Sequence, residues 1–159
     1  MLLDATAISL TDILLRLGAA TACGLLLGFE RERRGKDAGI RTHALVSLSS
    51  AVITTSALSL YADVQARGGD ADPLRVIQGL AQAIGFIAAG TIFVARGDPA
   101  RRVRNLTTAA SIWLAASAGI VAGAAQFTLL AAAMGFGLAI LVLITALKRV
   151  GLAREEADE

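Results

Sequence analysis

The chain has 159 residues, of which 55% are apolar and 18% are charged, and its mean hydropathy is +0.66. A soluble domain of this length needs a charged surface over most of its area, whereas lipid-facing helices need none. The composition therefore excludes a disordered chain and a disulfide scaffold, and it predicts an all-α polytopic membrane protein. The single cysteine, Cys23, cannot form an internal disulfide bond.

Uncharged apolar runs of the length that a bilayer demands, about 17–25 residues, occur in four regions. The last region has 42 uncharged residues, Leu106 to Leu147, and as one helix it would measure about 63 Å, roughly twice the hydrocarbon thickness. Small residues near 123–126 interrupt its aliphatic pattern, so it is split into two helices joined by a tight turn. The sequence thus predicts a transmembrane domain over residues 1–147 and a short charged cytoplasmic tail over 148–159. The five predicted spans are residues 13–29, 44–62, 76–95, 106–125 and 127–147.

Lys and Arg residues are distributed unevenly among the loops between these spans. The first loop, the third loop and the tail together carry 12 of them, whereas the second loop carries two, Arg67 and Arg75. Because loops rich in Lys and Arg stay in the cytoplasm, the N-terminus is expected outside and the C-terminus inside. The basic residues are then orientation signals that face anionic lipid, and no nucleic-acid partner is expected.

Small and polar residues recur at helical spacing within the spans. Helices in lipid associate through close backbone approach and a few hydrogen bonds, because no hydrophobic force acts between them. The predicted packing glycines are Gly24, Gly28, Gly85, Gly90, Gly119 and Gly123. The predicted intramembrane polar stripe consists of Thr54, Gln78, Gln82, Thr107, Thr108 and Ser111. This stripe is interpreted either as packing between helices or as the lining of a solute path.

The first loop mixes acidic with basic residues, which orientation alone does not require. Glu30 and Arg41 flank the membrane at opposite ends of this loop and could pair where solvent is limited. The alternative is an ordinary run of solvated charges. The predicted inner-face polar cluster consists of Glu30, Arg31, Glu32, Arg41, Thr42 and His43.

The second loop is predicted to lie outside and carries an excess of acids. Asp63, Asp70 and Asp72 are candidate ligands for Mg²⁺, which takes one or two carboxylates, and Asp72 with Arg75 forms a predicted entry to span three. The alternative is that outer loops simply lack basic residues.

No Cys/His cluster, phosphate-binding loop or activated nucleophile occurs in the sequence, so no enzyme is expected. No cofactor other than Mg²⁺ is expected either.

Five short segments stand in a characteristic order and spacing. They read ERE at residues 30–32, AGIRTHALV at 38–46, DPLR at 72–75, IGFIAAG at 84–90 and LTTAASIW at 106–113. Together they resemble the MgtC/SapB family of membrane proteins over roughly residues 12–147. The chain departs from the family pattern at Asn105, where a glycine commonly precedes the Leu-Thr-Thr segment.

The resemblance implies a bacterial inner-membrane protein linked to growth at low magnesium and, in pathogens, to survival in macrophages. It implies regulation of membrane complexes such as the proton-driven ATP synthase. A transporter or channel for Mg²⁺ or another small solute, and a passive oligomerising scaffold, are the alternatives. The expected partners are the lipid bilayer, a second copy in a homo-oligomer, taken as a dimer, and another membrane protein complex. The soluble C-terminal domain of some members is expected to be absent after Leu147.

Overall fold

The computed structural model describes residues 8–94 and 103–149 of the chain. Among them, a short antiparallel ribbon pairs β1 (Phe93–Val94) with β2 (Val103–Arg104) between the third and fourth helices. The five helices are α1 (Leu10–Glu32), α2 (Ile40–Ala66), α3 (Leu74–Thr91), α4 (Leu106–Gly123) and α5 (Phe127–Arg149). Helices α1 to α4 are long and apolar enough to cross a membrane, and α5 offers a shorter apolar stretch, Phe127–Leu143. The predicted all-helical polytopic fold is confirmed, with the two-residue strands as an addition that the sequence did not indicate.

The long uncharged region divides at a tight turn between α4 and α5. The amide of Ala124 donates to the carbonyl oxygen of Ile120 at 3.0 Å, and the amide of Gln126 donates to that of Val121 at 3.0 Å. Ala125 between them has a φ of 57°, in the left-handed region that closes helix ends and that glycine adopts most easily. Local hydrogen bonding therefore ends α4 without any charged or proline residue.

Helices α1, α2 and α4 form the close-packed centre of the fold, and α3 and α5 each pack against α4. The helix backbones approach closely where glycines face a neighbouring helix. A Cβ atom at Gly24 would lie 2.6 Å from the carbonyl oxygen of His43, and one at Gly28 would lie 2.5 Å from the Cα of Ile40. A Cβ atom at Gly123 would lie 2.7 Å from the carbonyl oxygen of Ala51. No side chain larger than hydrogen fits at these positions.

Two of the predicted packing glycines make no such contact within the described residues. A Cβ atom at Gly85 would meet only the ring of Trp113, at an ordinary distance of 3.6 Å, and one at Gly90 would have nothing within 4 Å. Both belong to α3, whose buried side chains are Leu80, Ile84 and Ala88. The spacing of small residues predicts a packing stripe equally well for all helices, but on α3 much of that stripe faces away from the rest of the chain.

We predict that Gly119→Ala destabilises the protein strongly. A methyl group there would overlap the carbonyl oxygen of Ser47 and approach the side chain of Ser50, and overpacking of this kind costs about 1–3 kcal/mol. The free energy of unfolding in an SDS titration of mixed micelles measures the effect. Gly135→Ala on α5 is the matched control, because a Cβ atom there has nothing within 4 Å. Equal losses for both variants would contradict the packing role.

We predict that Ala125→Gly stabilises the turn between α4 and α5. Glycine adopts the positive φ of this position without the steric cost that a Cβ atom adds, so a gain of about 1 kcal/mol is expected in the same titration. Ala124→Gly is the control, because Ala124 has a φ of −81° and glycine there only adds freedom to the unfolded chain. A loss of stability in Ala125→Gly would refute the prediction.

Candidate functional site

The most unusual feature of the fold is a set of buried polar side chains where α1 ends, α2 begins and α4 begins. We call Arg31, His43, Thr108 and Ser111 the buried polar junction. His43 is 0% exposed and Arg31 is 3% exposed. Arg31 donates from Nη2 to Oγ1 of Thr108 at 3.1 Å, which joins α1 to α4. Burying an arginine is costly unless its donors are satisfied, so this junction fixes how the two helices meet.

His43 joins α2 to α4 in the same junction. Its Nδ1 lies 2.9 Å from the carbonyl oxygen of Gly39, and its Nε2 lies 3.0 Å from Oγ of Ser111. Because a carbonyl oxygen only accepts, Nδ1 carries a hydrogen. Nε2 then either accepts from the Ser111 hydroxyl or, on a doubly protonated ring, donates to it. In the second arrangement the hydroxyl is free to donate to the carbonyl oxygen of Thr108, 2.8 Å away.

The other members of the predicted inner-face polar cluster are not part of the buried polar junction. Glu32 accepts from the backbone amide of Ile40 at 2.9 Å, which satisfies a free N–H at the start of α2. Glu30 forms an ion pair with Arg34, which lies in the turn that follows α1. The expected pairing of Glu30 with Arg41 is wrong, because Arg41 is exposed on α2 while Arg34 lies within reach of Glu30 in the turn after α1. Thr42 is half-buried.

Asn105, which stands out in the sequence only as a departure from the family pattern, makes contacts that the sequence did not predict. It has a φ of 67°, the left-handed conformation that asparagine tolerates better than most residues. Its side-chain amide donates to Oδ2 of Asp37 at 2.8 Å and to the carbonyl oxygen of Thr91 at 3.2 Å. Asn105 therefore keeps the backbone shape of a glycine and also ties the α1–α2 loop to the end of α3.

Arg16 is a second residue that sequence reasoning passed over. It lies in α1 near the α4–α5 turn and donates from Nη1 to the carbonyl oxygen of Gly123 at 2.8 Å. Thr55 donates from Oγ1 to the same oxygen at 3.2 Å. A positive charge is favourable at a helix C-terminus, where the last carbonyl groups lack helical partners. A lone arginine in an otherwise uncharged span was the signal that pointed to this contact.

The predicted intramembrane polar stripe is divided between two places. Thr54, Thr108 and Ser111 are buried and Thr107 is half-buried. Gln78 and Gln82 are exposed on α3, whereas the buried side chains of that helix lie on its opposite face. The polar residues of spans two to four therefore do not form one continuous line in the described chain.

The acidic residues near the α2–α3 loop do not form a group of three in the part of the chain that the structure describes. Asp72 accepts from the backbone amide of Leu74 at 3.0 Å and lies 3.8 Å from Nε of Arg75, so it satisfies a free N–H at the start of α3. Within residues 8–94 and 103–149 there is no group of three or more His, Cys, Asp or Glu side chains placed to hold a metal ion. Asp63 and Asp70, the other candidate ligands, therefore do not join Asp72 in such a group.

We predict that Thr108→Val destabilises the buried polar junction. The change keeps the shape of the side chain but removes the acceptor that Arg31 uses, and a lost partner of a buried donor costs about 1–3 kcal/mol. Unfolding in mixed micelles measures the loss. Thr128→Val on α5 is the matched control. Because Thr128 is exposed, its replacement should change the free energy of unfolding by no more than about 0.5 kcal/mol. Identical values for the two variants would contradict the role of the junction.

The chain was compared with known proteins. The model of the MgtC family matches residues 17–150. "Putative magnesium transporter YhiD" of Escherichia coli K12 is 39% identical over 112 residues, which cover 70% of this chain and 50% of that protein. Protein SapB of Bacillus subtilis is 37% identical over 71% of this chain and 48% of its own length. Protein MgtC of Brucella abortus is 36% identical over 84% of this chain and 52% of its own length.

The chain spans about half the length of the curated relatives it matches. No solved structure matches it. The family match extends from the middle of α1 to the end of α5, and it contains the whole buried polar junction. On the strength of this match and of the three relatives, the chain belongs to the MgtC family and is a multi-pass membrane protein.

Proposed function

We propose that this chain is a non-enzymatic inner-membrane protein that acts during magnesium limitation by contacting other membrane proteins. One observation carries the proposal. The buried hydroxyl groups of α2 and α4 are enclosed in helix contacts, whereas the two glutamines of α3 face away from them. A solute path through one chain needs polar groups in a continuous line across the bilayer, and the described residues offer two separate groups instead.

The character of the helix contacts supports the same proposal. Backbones touch at Gly24, Gly28, Gly119 and Gly123 with no space for a side chain, so the centre of the fold is tightly packed. Interiors packed to this density do not open without large displacements of whole helices. A rigid three-helix centre with apolar outer faces suits a protein that works through its lipid-facing surfaces.

A cavity supports transport as a second candidate function. A space of about 280 Å³ lies between α2, α3 and the α4–α5 turn, and its lining includes Thr54, Pro73, Ile77 and Gln126. Oγ1 of Thr54 is buried and has no hydrogen-bond partner in the described chain. One relative carries the name "Putative magnesium transporter YhiD", and a cavity with an unsatisfied hydroxyl is where a hydrated solute would first be held.

Two measurements separate these functions. In a bacterium that lacks its own family member, the chain should restore growth at limiting magnesium. In sealed vesicles that contain only this protein and an internal Mg²⁺ indicator, entry of Mg²⁺ should not exceed that into empty vesicles. Uptake above that level which is abolished by Thr54→Val, and retained in the control Thr128→Val, would refute the regulatory proposal and establish transport.

A further inference from the structure

The cavity between α2, α3 and the α4–α5 turn lies at the end of the helix bundle where α3 begins and α4 ends. Its lining includes Leu58 of α2 and, in the first turn of α3, Leu74 and Ile77. Its volume is about 280 Å³, whereas an apolar protein cavity of roughly 150 Å³ holds one benzene molecule. A molecule of roughly ten non-hydrogen atoms therefore fits within it.

The wall of this cavity carries no charge. Among the described residues that line it there is no Asp, Glu, Lys, Arg or His, and most of them are aliphatic. An ion that entered would lose its water shell without gaining an opposite charge, which is strongly unfavourable in a medium of low dielectric constant. The lining therefore selects an uncharged ligand.

Two polar side chains interrupt the aliphatic lining, those of Thr54 and Gln126. Thr54 is 3% exposed, and its Oγ1 is buried without a hydrogen-bond partner in the part of the chain that the structure describes. Gln126 is exposed in the α4–α5 turn. A buried hydroxyl group without a partner is costly, so a ligand atom that reaches Oγ1 of Thr54 gains a hydrogen bond that the chain itself does not make.

Neither water nor a lipid chain matches this lining by itself. A buried water molecule typically needs about two to four polar partners, and the aliphatic wall offers it none. An acyl chain suits the wall but leaves Oγ1 of Thr54 unpaired. A molecule with an apolar body and one hydroxyl group matches both parts of the lining, because a hydroxyl group both donates and accepts.

We propose that this cavity is a binding site for a small uncharged amphiphile, in which one hydroxyl group is attached to an aliphatic body of about eight to ten carbon atoms. The hydroxyl group of the ligand pairs with Oγ1 of Thr54. Its aliphatic body lies against Leu58, Leu74 and Ile77, where apolar surface is removed from water.

A second, smaller space adjoins the cavity toward the end of α2. Its volume is about 170 Å³, and Ala57, Pro73 and Val76 line both spaces. Tyr61 and Asp72 line the smaller space alone, and the side chain of Asp72 is 54% exposed. The ligand thus has a way in from the α2–α3 loop, along the gap between α2 and α3.

Photolabelling in membranes tests the site directly. The probe is 3-azioctanol, an eight-carbon alcohol with a photoreactive diazirine, and mass spectrometry locates its adducts. Labelling should saturate and should mark the peptides that contain Leu58 and Leu74. An excess of 1-octanol should abolish it, whereas the same concentration of octyltrimethylammonium should not, because the cavity offers no acid to a cation. Labelling that does not saturate, that spreads evenly over the helices, or that both compounds displace equally would overturn the proposal.

Thr54→Val tests the hydroxyl group separately from the shape of the site. The variant should raise the probe concentration for half-maximal labelling about threefold to tenfold, the factor expected of one lost hydrogen bond. Thr54→Ser should label more strongly than Thr54→Val, because it keeps the hydroxyl group. The matched control is Ser56→Ala, which removes an exposed hydroxyl group of α2 outside the cavity and should change nothing. A half-maximal concentration unaltered in Thr54→Val would contradict the pairing.

Ala57→Phe tests whether the ligand occupies the space itself. The ring should fill the cavity and abolish saturable labelling, while the free energy of unfolding stays at or above that of the unmodified chain, because the ring buries apolar surface. Ser56→Phe, at the exposed neighbouring position, should retain labelling. Saturable labelling that persists in Ala57→Phe would overturn the proposal. All of these measurements are made without Mg²⁺ and without growth, so their outcome is independent of the functions proposed above.

Discussion

Close contact between the backbones of α1, α2 and α4 is the constraint on which the other features of the structure depend. In lipid no hydrophobic force draws helices together, so contact energy must come from atoms that touch along the helix axes. Gly24 and Gly28 let α2 approach α1, while Gly119 and Gly123 let α2 approach α4. Because α2 is held from both sides, most polar groups on its buried face are small hydroxyl groups, and His43 is the larger exception among the described residues.

This contact also brings an arginine of α1 to each end of α4. Arg16 meets the C-terminal carbonyl of Gly123, where the helix dipole favours a cation. Arg31 lies at the opposite end, beside Thr108 in the first turn, where the dipole disfavours one. The two arginines thus have opposite electrostatic settings, one at each end of α4.

The sequence predicted the helices well because hydropathy and charge decide them locally. Five helices stand at the five expected spans, including the division of the 42-residue uncharged region. The contacts between residues were predicted less well, because one sequence does not say which side of a helix faces its neighbours. Gly119 and Gly90 look alike in sequence, yet only Gly119 faces another helix. Likewise Glu30 pairs with Arg34, four residues further along the chain, and not with Arg41 at the other end of the loop.

The contrast between α3 and the other helices bears on any function that involves a solute. The buried hydroxyl groups of α2 and α4 lie between packed helices, and the amides of Gln78 and Gln82 lie on the exposed side of α3, away from that packing. A polar path that includes Gln82 must therefore run along the outer surface of the chain. Such a surface becomes a path only where a second protein encloses it, because lipid does not hydrate an open groove. Transport and assembly therefore both depend on what covers the exposed side of α3.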